Sequence, residues 1–343
     1  MKALVLTEYG KLEFLDVDDP RIAADEVLLR VRSAGICGSD VHGMDGSTGR
    51  RRPPVIMGHE AAGEIAEIGG EVAGWSVGER VTFDSTVYCG RCPHCLAGGV
   101  NLCDDRMVLG VSCEAYRRHG AFAEYLAVPR RILHRLPEGV SFDRAATVEP
   151  LSIAFHAVSR LRIRLNDSAV VIGAGMIGLL AVQALRASGC GTILAADIDA
   201  TRLALAANLG ADVTLKADET DVAAAVADTT AGRGAPIVVE AVGLPETVAT
   251  AMVCAGKGGQ VALVGNITPT VDLALQTVVT GELTLLGSCA SRGEYPACLD
   301  MLARGAVDVD PLISATAPLA EGASWFQRLY KGEKGLMKVL LKP

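Results

Sequence analysis

The amino-acid sequence predicts an α/β protein in which a β-rich first domain is followed by a doubly wound parallel sheet. Three observations support this prediction. Residues 1 to about 150 read as short strands separated by glycine, proline and charged turns. From Leu151 onward, continuous apolar strands alternate with helical segments, which indicates a parallel sheet covered on both faces. A glycine-rich turn, Gly173 to Gly178, joins one of these strands to a helix.

Composition limits the classes of partner. The chain has 343 residues, with 32 lysines and arginines against 40 acids and a net charge of −8. An acidic balance disfavours nucleic acid or an anionic membrane as the main partner. The segment Met1 to Val17 alternates like a strand and lacks the apolar core of a signal peptide, so we expect cytoplasmic residence. The longest apolar stretch, Ala169 to Val182, contains three glycines and predicts a strand and helix rather than a membrane span.

The predicted elements follow in order along the chain. The first domain contains the strand candidates KALVLT, EVLLRVRSAG, AAGEIAEIG, ERVTF and FAEYLAV. The second begins with the helical pattern LSIAFHAVSRLRI and continues through the strand SAVVIGAG and the helix MIGLLAVQALRAS. After residue 290 a helix, irregular chain, another helix and the final strand LMKVLLKP could return to the first domain. We expect boundaries of 1–151, 152–290 and 291–343 for the β-rich domain, the parallel-sheet domain and the C-terminal return to the first domain.

Four cysteines form the most specific motif of the chain. Cys89, Cys92, Cys95 and Cys103 have the spacing Cys-x2-Cys-x2-Cys-x7-Cys, which can surround one tetrahedral zinc ion. Their segment has too few large apolar side chains to build a core, so a structural metal would replace one. Because sulfur fills all four positions, this site is predicted to be structural rather than reactive. Disulfides or buried free thiols are the alternative reading.

A second group of possible metal ligands begins with Cys37 and His59. Thiolate, imidazole and carboxylate can each bind a catalytic zinc, which needs about three protein ligands and one replaceable water. Glu60 and Glu149 compete for the third position, and the residues alone do not order them. Asp40 is a plausible acceptor that would orient the His59 ring.

Two residues that follow Cys37 have the character of a proton relay. The hydroxyl of Ser39 lies two residues past Cys37, and the imidazole of His42 lies five residues past it. This spacing lets Ser39 reach a metal-bound oxygen while His42 faces solvent. A turn-capping serine and an ordinary surface histidine are the alternative. The histidines at positions 94, 119, 134 and 156 are assigned to packing, loops or the surface.

The glycine-rich turn predicts a dinucleotide site. Glycine there permits a tight turn and a close approach of the backbone to a pyrophosphate at the helix N-terminus. Asp197, at the end of the next strand, could hold the adenosine ribose hydroxyls and repel a 2′-phosphate, so NAD is favoured over NADP. A helix cap or a turn residue is the alternative for Asp197. Arg202, five residues past Asp197, could stack on adenine or meet a phosphate, and an exposed position in the first helical turn is its alternative. The expected cofactor-binding residues are Gly173, Gly175, Met176, Ile177, Gly178, Asp197, Arg202, Gly243 and Val264.

Taken together, GICGSDVH, GHEAAGEI, the four-cysteine lobe, EPLSIAFHA and GAGMIG resemble the zinc-containing medium-chain alcohol dehydrogenase family. Glu149, in an EP dipeptide where classical members carry a cysteine ligand, is similar to the sorbitol and polyol dehydrogenase branch. L-threonine dehydrogenases are also similar, but they commonly carry a histidine where this chain has Thr86. The resemblance implies a GroES-like β domain with both zinc sites, a Rossmann domain and homo-oligomers, usually tetramers, although a dimer is possible.

The function expected from this resemblance is NAD-dependent oxidation of a secondary alcohol of a polyol or sugar alcohol. Two zinc ions per subunit and NAD are the expected cofactors, and the alkoxide proton would leave through Ser39, the cofactor ribose and His42. L-threonine or another small alcohol is the alternative substrate. The alternatives of other kinds are a zinc-free quinone or enoyl reductase and a non-catalytic NAD-binding oligomer.

Several further positions have two open interpretations. The residues just ahead of the four-cysteine lobe either border the substrate pocket or form a surface turn; they are Phe83, Asp84, Ser85, Thr86 and Tyr88. Arg117 and Arg118 either meet a charged substrate or are solvated. The strand LTLLGS, from Leu283 to Ser288, is either a sheet edge that pairs with another subunit or an interior strand.

Overall fold

The computed structural model describes residues 1–112 and 118–343, and these divide into two compact units. The first unit comprises Met1–Glu149, Arg292–Gly305 and Val309–Pro343. The second comprises Pro150–Ser291 and Ala306–Asp308. The C-terminal segment therefore belongs to the same unit as the N-terminus.

Within the described residues, the first unit is built mainly of short strands. They are β1 (Lys2–Glu8), β2 (Lys11–Asp16), β3 (Glu26–Gly35), β4 (Val55–Ile56), β5 (Glu60–Ile68), β6 (Arg80–Phe83), β7 (Thr86–Val87), β8 (Met107–Val108), β9 (Tyr125–Pro129), β10 (Leu133–Arg135), β17 (Ile313–Pro318) and β18 (Lys338–Lys342). Its helices are α1 (Gly38–Gly43), α2 (Pro93–Leu96), α3 (Phe142–Ala146), α10 (Tyr295–Ala303) and α11 (Gly322–Tyr330). Helix α4 (Val148–Ser159) begins at the boundary between the units.

Strand β3 organises the largest sheet of this unit. Its buried Val27, Leu29 and Val31 alternate with the exposed Arg30 and Arg32, as expected of a strand with one face in the core. The sheet has the order β10-β6-β5-β3-β18-β17 in the described part of the chain, and β9 also pairs with β3.

At the end of β3, the two neighbouring strands bring residues close to Cys37. Gly35 lies opposite Glu60 of β5 and also opposite Leu340 of β18. Because Cys37 follows two residues later, this register brings the start of β5 and the C-terminal strand beside Cys37.

The second unit contains a fully parallel six-stranded sheet, and every residue of 150–291 is described. The strands are β11 (Ala169–Ile172), β12 (Ile193–Asp197), β13 (Val213–Lys216), β14 (Ala235–Glu240), β15 (Ala255–Leu263) and β16 (Thr284–Gly287). The connecting helices are α5 (Met176–Ala187), α6 (Ala200–Asn208), α7 (Val222–Thr229), α8 (Pro245–Cys254) and α9 (Leu275–Gly281). Strands β11 and β12 are buried along their whole length, which explains their uninterrupted apolar sequences.

The strand order β13-β12-β11-β14-β15-β16 reverses direction between β11 and β14. This is the order of a doubly wound dinucleotide-binding sheet, so the predicted fold class is confirmed. Strand β16 pairs only with β15 among the described residues and forms the sheet edge, so the interior-strand reading of LTLLGS is wrong. In the described ranges, helices long and apolar enough to cross a bilayer are absent.

Candidate metal and cofactor sites

The four predicted cysteines of the lobe converge. The Sγ atoms of Cys89, Cys92, Cys95 and Cys103 all lie within 4.8 Å of one another. Backbone N–H groups point at the sulfurs: Cys92 N donates to Cys89 Sγ at 3.4 Å, and Cys89 N donates to Cys103 Sγ at 3.2 Å. The alternative reading as disulfides is wrong, because none of the four is disulfide-bonded, and the reading as buried thiols is wrong for Cys89, Cys92 and Cys95, which are half-buried.

Backbone hydrogen bonding favours the thiolate form of Cys89 and Cys92, whereas burial raises the pKa of Cys95 to about 12. The N–H groups of Arg91 and Cys92 lower the pKa of Cys89 to about 6, because they stabilise the thiolate. Four converging sulfurs with N–H donors toward them fit a structural zinc, which binds thiolates tetrahedrally. Helix α2 contributes no buried residue, so packing alone gives this lobe little stability.

Cys37, His59 and Glu60 form the second cluster. Cys37 caps helix α1 just after β3, and His59 and Glu60 stand at the start of β5. One ligand atom from each lies within 4.8 Å of the others. His59 and Glu60 are buried, and Oε1 of Glu60 lacks a hydrogen-bond partner among the described atoms. A buried carboxylate oxygen left without a partner costs free energy unless something else binds it, so this donor set fits a catalytic zinc.

Glu149 lies outside this three-residue group of described ligand atoms. Its Oε1 accepts a hydrogen bond from Ser85 Oγ at 3.3 Å. Burial raises the pKa of Glu149 to about 7, and the negative charges of Glu60 and Asp84 add to this, opposed by His59 and Lys338. Of the two glutamates that the sequence left open, Glu60 is therefore the one that meets Cys37 and His59.

Asp40 lies behind the His59 ring, as expected, and Arg51 lies behind Asp40. The Asp40 Oδ2 atom is 3.3 Å from His59 Nδ1, an ion-pair distance outside hydrogen-bond geometry. Its Oδ1 accepts a hydrogen bond from the Arg51 guanidinium at 2.6 Å. Burial opposes ionisation of Asp40, but His59 and Arg51 outweigh it and hold the pKa of Asp40 below its ordinary range.

Ser39 and His42 lie on helix α1 beside the same cluster. The Ser39 hydroxyl is 3.3 Å from Cys37 Sγ and 3.4 Å from His59 Nε2. His42 is exposed in the last turn of α1. The hydroxyl therefore lies at the metal cluster and the imidazole lies at solvent, which is the arrangement that the relay hypothesis requires.

Lys338 of strand β18 is a buried cation at this cluster. Its Nζ donates to Glu60 Oε2 at 2.5 Å and to the Ile36 carbonyl at 3.0 Å. The exposed fractions of the two paired side chains are 3% for the lysine and 1% for the glutamate. Burial alone would lower the pKa of Lys338, but the charges of Glu60 and Cys37 raise it, so the lysine is an ammonium ion.

The glycine turn of the second unit has the geometry of a phosphate cradle. Gly173 has a φ of +93°, and a Cβ at Gly178 would lie 1.7 Å from the Gly173 carbonyl oxygen. A Cβ at Gly175 would meet nothing within 4 Å, so this position faces open space at the N-terminus of α5. Backbone that is open at a helix N-terminus fits a pyrophosphate.

Asp197 ends strand β12 next to this turn. Its Oδ2 accepts from the backbone N–H of Ala174 at 2.6 Å, and its Oδ1 accepts from that of Asp199 at 2.9 Å. Asp199, rather than Asp197, caps helix α6, so the capping alternative for Asp197 is wrong. The hydrogen bond from the N–H of Asp199 to Asp197 Oδ1 agrees with the turn-residue alternative. Arg202 lies in the first turn of that helix. The carboxylate of Asp197 thus ties the glycine turn to the next strand.

Gly243 and Val264 lie past the ends of β14 and β15. Gly243 has a φ of +87°, and a Cβ there would be 2.4 Å from the backbone of Gly265. The buried side chain of Glu240 holds this turn in place, because its Oε1 accepts hydrogen bonds from the N–H groups of Val242 and Gly243. Val264 donates its N–H to the Glu240 carbonyl at 2.9 Å.

Similar proteins agree with this geometry. Residues 23–138 match the family model for the alcohol dehydrogenase GroES-like domain, and residues 177–304 match that for zinc-binding dehydrogenases. D-arabitol-phosphate dehydrogenase of Enterococcus avium is 33% identical, covering 97% of this chain and 94% of its own. Sorbitol dehydrogenase of Bacillus subtilis strain 168 is 32% identical, covering 100% and 97%. The chain belongs to the zinc-containing medium-chain alcohol dehydrogenase family.

A solved structure supports the assignment. A zinc-binding dehydrogenase from Sinorhizobium meliloti 1021, bound to NADP, is 33% identical with a TM-score of 0.93 and covers 100% of this chain and 99% of its own. The dehydrogenase described here is thus an enzyme of the EC 1.1.1 type, with a small alcohol as substrate and NAD(P) as cofactor. The readings as a zinc-free reductase and as a non-catalytic oligomer are wrong.

The remaining predicted positions of the dehydrogenase have mixed outcomes. Phe83, Asp84, Ser85 and Thr86 are buried, so the surface-turn reading is wrong for them. Arg118 pairs with Glu26 at 2.5 Å and is therefore not simply solvated. Arg117 lies outside the described residues.

Sequence reasoning missed three charged residues of the dehydrogenase. The sequence did give an indication of Lys338, because a lysine at the start of the apolar strand KVLLK is usually either exposed or paired. Arg51 had none, since it stands in the run RRRPP that reads as a solvated charge cluster. Glu240 ends a continuous apolar strand and could have been flagged as a buried acid at the cofactor edge of the sheet.

Proposed function

We propose that this dehydrogenase oxidises a secondary alcohol of a polyol or sugar alcohol to a ketone, with NAD as the hydride acceptor. The convergence of Cys37, His59 and Glu60 is the observation that supports the proposal most directly. It provides three donors of the types that a catalytic zinc uses, in a chain that also carries a dinucleotide fold. The names of the sorbitol and D-arabitol-phosphate relatives support the polyol class.

The proposed mechanism assigns a role to each side chain of the site. A bound zinc would act as a Lewis acid that lowers the pKa of the alcohol hydroxyl, and bound nicotinamide would accept the hydride. Ser39 receives the hydroxyl proton and the exposed His42 delivers it to solvent. Asp40 orients the His59 ring, with Arg51 holding the carboxylate in its charged form.

Glu149 and Ser85 are proposed to border the substrate. Ser85 is buried, Glu149 is half-buried beside His59 and Glu60, and the two side chains are linked by a hydrogen bond. A carboxyl group and a hydroxyl group suit a substrate with several hydroxyls, because each can donate to or accept from one of them. Loss of either group should therefore affect a polyol more than an alcohol with a single hydroxyl.

The preference for NAD rests on Asp197. Its carboxylate lies at the end of β12 beside the glycine turn, where its negative charge would repel a 2′-phosphate. Gly173, Gly175, Met176, Ile177 and Gly178 would accommodate the pyrophosphate. Arg202, Gly243 and Val264 would line the rest of the cofactor site.

The proposal is tested by measuring NAD(P)H formation across polyols, sugar phosphates, L-threonine and simple alcohols, with NAD and NADP in parallel. We expect kcat/KM to be highest for a polyol with NAD. Cys37→Ser should abolish activity while leaving NADH binding, measured by fluorescence, unchanged. Cys190→Ser, at a buried thiol of the second unit, is the matched control and should retain activity. A marked preference for L-threonine would contradict the polyol assignment.

A further inference from the structure

Lys338 forms an ion pair with Glu60, and this pair affects which carboxylate oxygen can bind a metal. The ammonium occupies Glu60 Oε2, whereas Oε1 of the same carboxylate has no hydrogen-bond partner among the described atoms. The two oxygens of one buried carboxylate are therefore in different environments. Only one of them is free to act as a ligand.

The backbone around Lys338 makes this arrangement rigid. The N–H of Ile36 donates to the Val339 carbonyl at 2.9 Å, and the Ile36 carbonyl accepts from Lys338 Nζ at 3.0 Å. Strand β18 thus holds both sides of the residue that precedes Cys37. The ammonium is fixed relative to Cys37 as well as to Glu60.

Gly35 provides the space for this pair. A Cβ at Gly35 would lie 2.4 Å from Glu60 Oε2 and 3.4 Å from Lys338 Cδ. Any larger residue at this position would push the carboxylate oxygen away from the ammonium. The absence of a side chain at position 35 is therefore part of the same arrangement.

We propose that Lys338 is a positioning residue that restricts Glu60 to one-oxygen coordination at the catalytic metal. A carboxylate can bind a metal through one or both oxygens, and a second oxygen would fill the position that the substrate needs. The ammonium also repels a metal cation across the shared carboxylate, so Glu60 is a weaker ligand than a free carboxylate. This inference rests on the proposed function, in which Cys37, His59 and Glu60 hold zinc.

The test measures zinc affinity by competition with a chromophoric chelator. Lys338→Met removes the ammonium with little change in volume, and zinc in the Cys37 site should then bind at least tenfold more tightly. The four-cysteine zinc, on another segment, serves as an internal reference. In the cobalt-substituted protein, the d–d absorption bands of this site should shift, because the number of oxygen ligands changes. With zinc, kcat should fall at least tenfold and KM should change less.

Three further variants complete the experiment. Lys338→Gln keeps an N–H donor but not the charge, and should also tighten zinc binding. Lys338→Arg keeps the charge, and its zinc affinity should stay within about threefold of the parent. Lys342→Met, on the same strand, should leave zinc affinity and the cobalt spectrum unchanged. If Lys338→Met does not fold, the glutamine and arginine variants decide the question.

Unchanged or weaker zinc binding in folded Lys338→Met and Lys338→Gln would overturn the inference and leave the lysine a structural role only. This outcome differs from failure of the proposed function. A parent protein that binds two zinc ions but oxidises no polyol would refute the polyol activity, and the ranking of zinc affinities would still test Lys338.

Discussion

Arg51 is a single buried charge that holds the Asp40 carboxylate in position behind the His59 ring. Its guanidinium and the Asp40 carboxylate are almost fully excluded from solvent, with exposed fractions of 3% and 0%. Gly43 leaves space for the arginine, since a Cβ there would lie 2.6 Å from Arg51 Cγ. Buried ion pairs give little net stability compared with apolar residues, but removing one partner leaves the other charge unpaired. The pair therefore positions Asp40 more than it stabilises the fold.

Replacing Arg51 by methionine should destabilise the protein by about 3 kcal/mol, because the Asp40 carboxylate would remain buried without its cation. Denaturant unfolding of the zinc-loaded protein would measure the difference. Arg50→Met, at the exposed neighbouring position, is the control and should change stability by less than about 0.5 kcal/mol. Equal stability of the two variants would contradict the role given to Arg51.

His134 provides a pH prediction outside the site. Its ring stacks on Tyr295 with centroids 4.8 Å apart, and burial lowers the pKa of His134 to about 4 from 6.5. The unfolded chain therefore binds a proton at a higher pH than the folded one. Burial of the neutral His134 ring therefore costs no stability above pH 6.5. As the pH falls from 6.5 toward 4, protonation of His134 in the unfolded chain lowers the free energy of unfolding.

His134→Phe keeps an aromatic ring against Tyr295 but cannot titrate. The difference in unfolding free energy between the parent and this variant, measured by urea unfolding from pH 7.5 to pH 4.5, should shift steadily in favour of phenylalanine below pH 6.5. A difference that is independent of pH would show that His134 has an ordinary pKa in the folded protein.

At the scale of elements, the four-cysteine lobe is the part most dependent on metal. Helix α2 and the chain around it bury few apolar side chains, so the folded lobe needs the zinc. The spacing of the cysteines was sufficient to predict this cluster, because all four ligands are local in sequence.

Loss of zinc from the four-cysteine lobe should unfold the lobe while the rest of the chain stays folded. In Cys92→Ser, limited proteolysis should cleave first within 89–103, for instance near Gly98 and Gly99, while the parallel sheet of the second unit stays resistant. Cys254→Ser, at a buried cysteine of α8, is the control and should leave the lobe protected. First cleavage in the second unit would contradict this view.

The edge strand β16 and the segment before it form a surface that could bind another subunit. It pairs only with β15 among the described residues, and the preceding segment exposes apolar side chains, with exposed fractions of 64% at Ile267, 63% at Leu275 and 63% at Val279. Exposed strand edges and apolar patches are typical of surfaces that bind another chain. We propose that this edge contributes to the expected homotetramer or dimer.

The double substitution Leu275→Arg with Val279→Arg should lower the oligomeric mass measured by light scattering, because two charges would then face the apolar interface. Leu165→Arg, at a leucine that is 89% exposed elsewhere in the second unit, is the control. An unchanged mass in the double variant would exclude this surface from the interface.

For the whole molecule, the sequence predicted local features and missed the long-range ones. The strand and helix patterns, the glycine turn and the four cysteines were visible because each depends on residues close together in the chain. The choice of Glu60 over Glu149 depended on a strand register that places Glu60 opposite Gly35. Lys338 reaches Glu60 across 278 residues, and no local pattern could predict that contact.

The central claim is that one metal at Cys37, His59 and Glu60 supports alcohol oxidation, while a second metal holds the lobe. Metal analysis of active protein, combined with NADH formation from a polyol, tests it most directly. The parent should contain two zinc ions per chain, and Cys37→Ser should contain one and form no NADH. Full activity in protein that holds only the four-cysteine zinc would contradict the account.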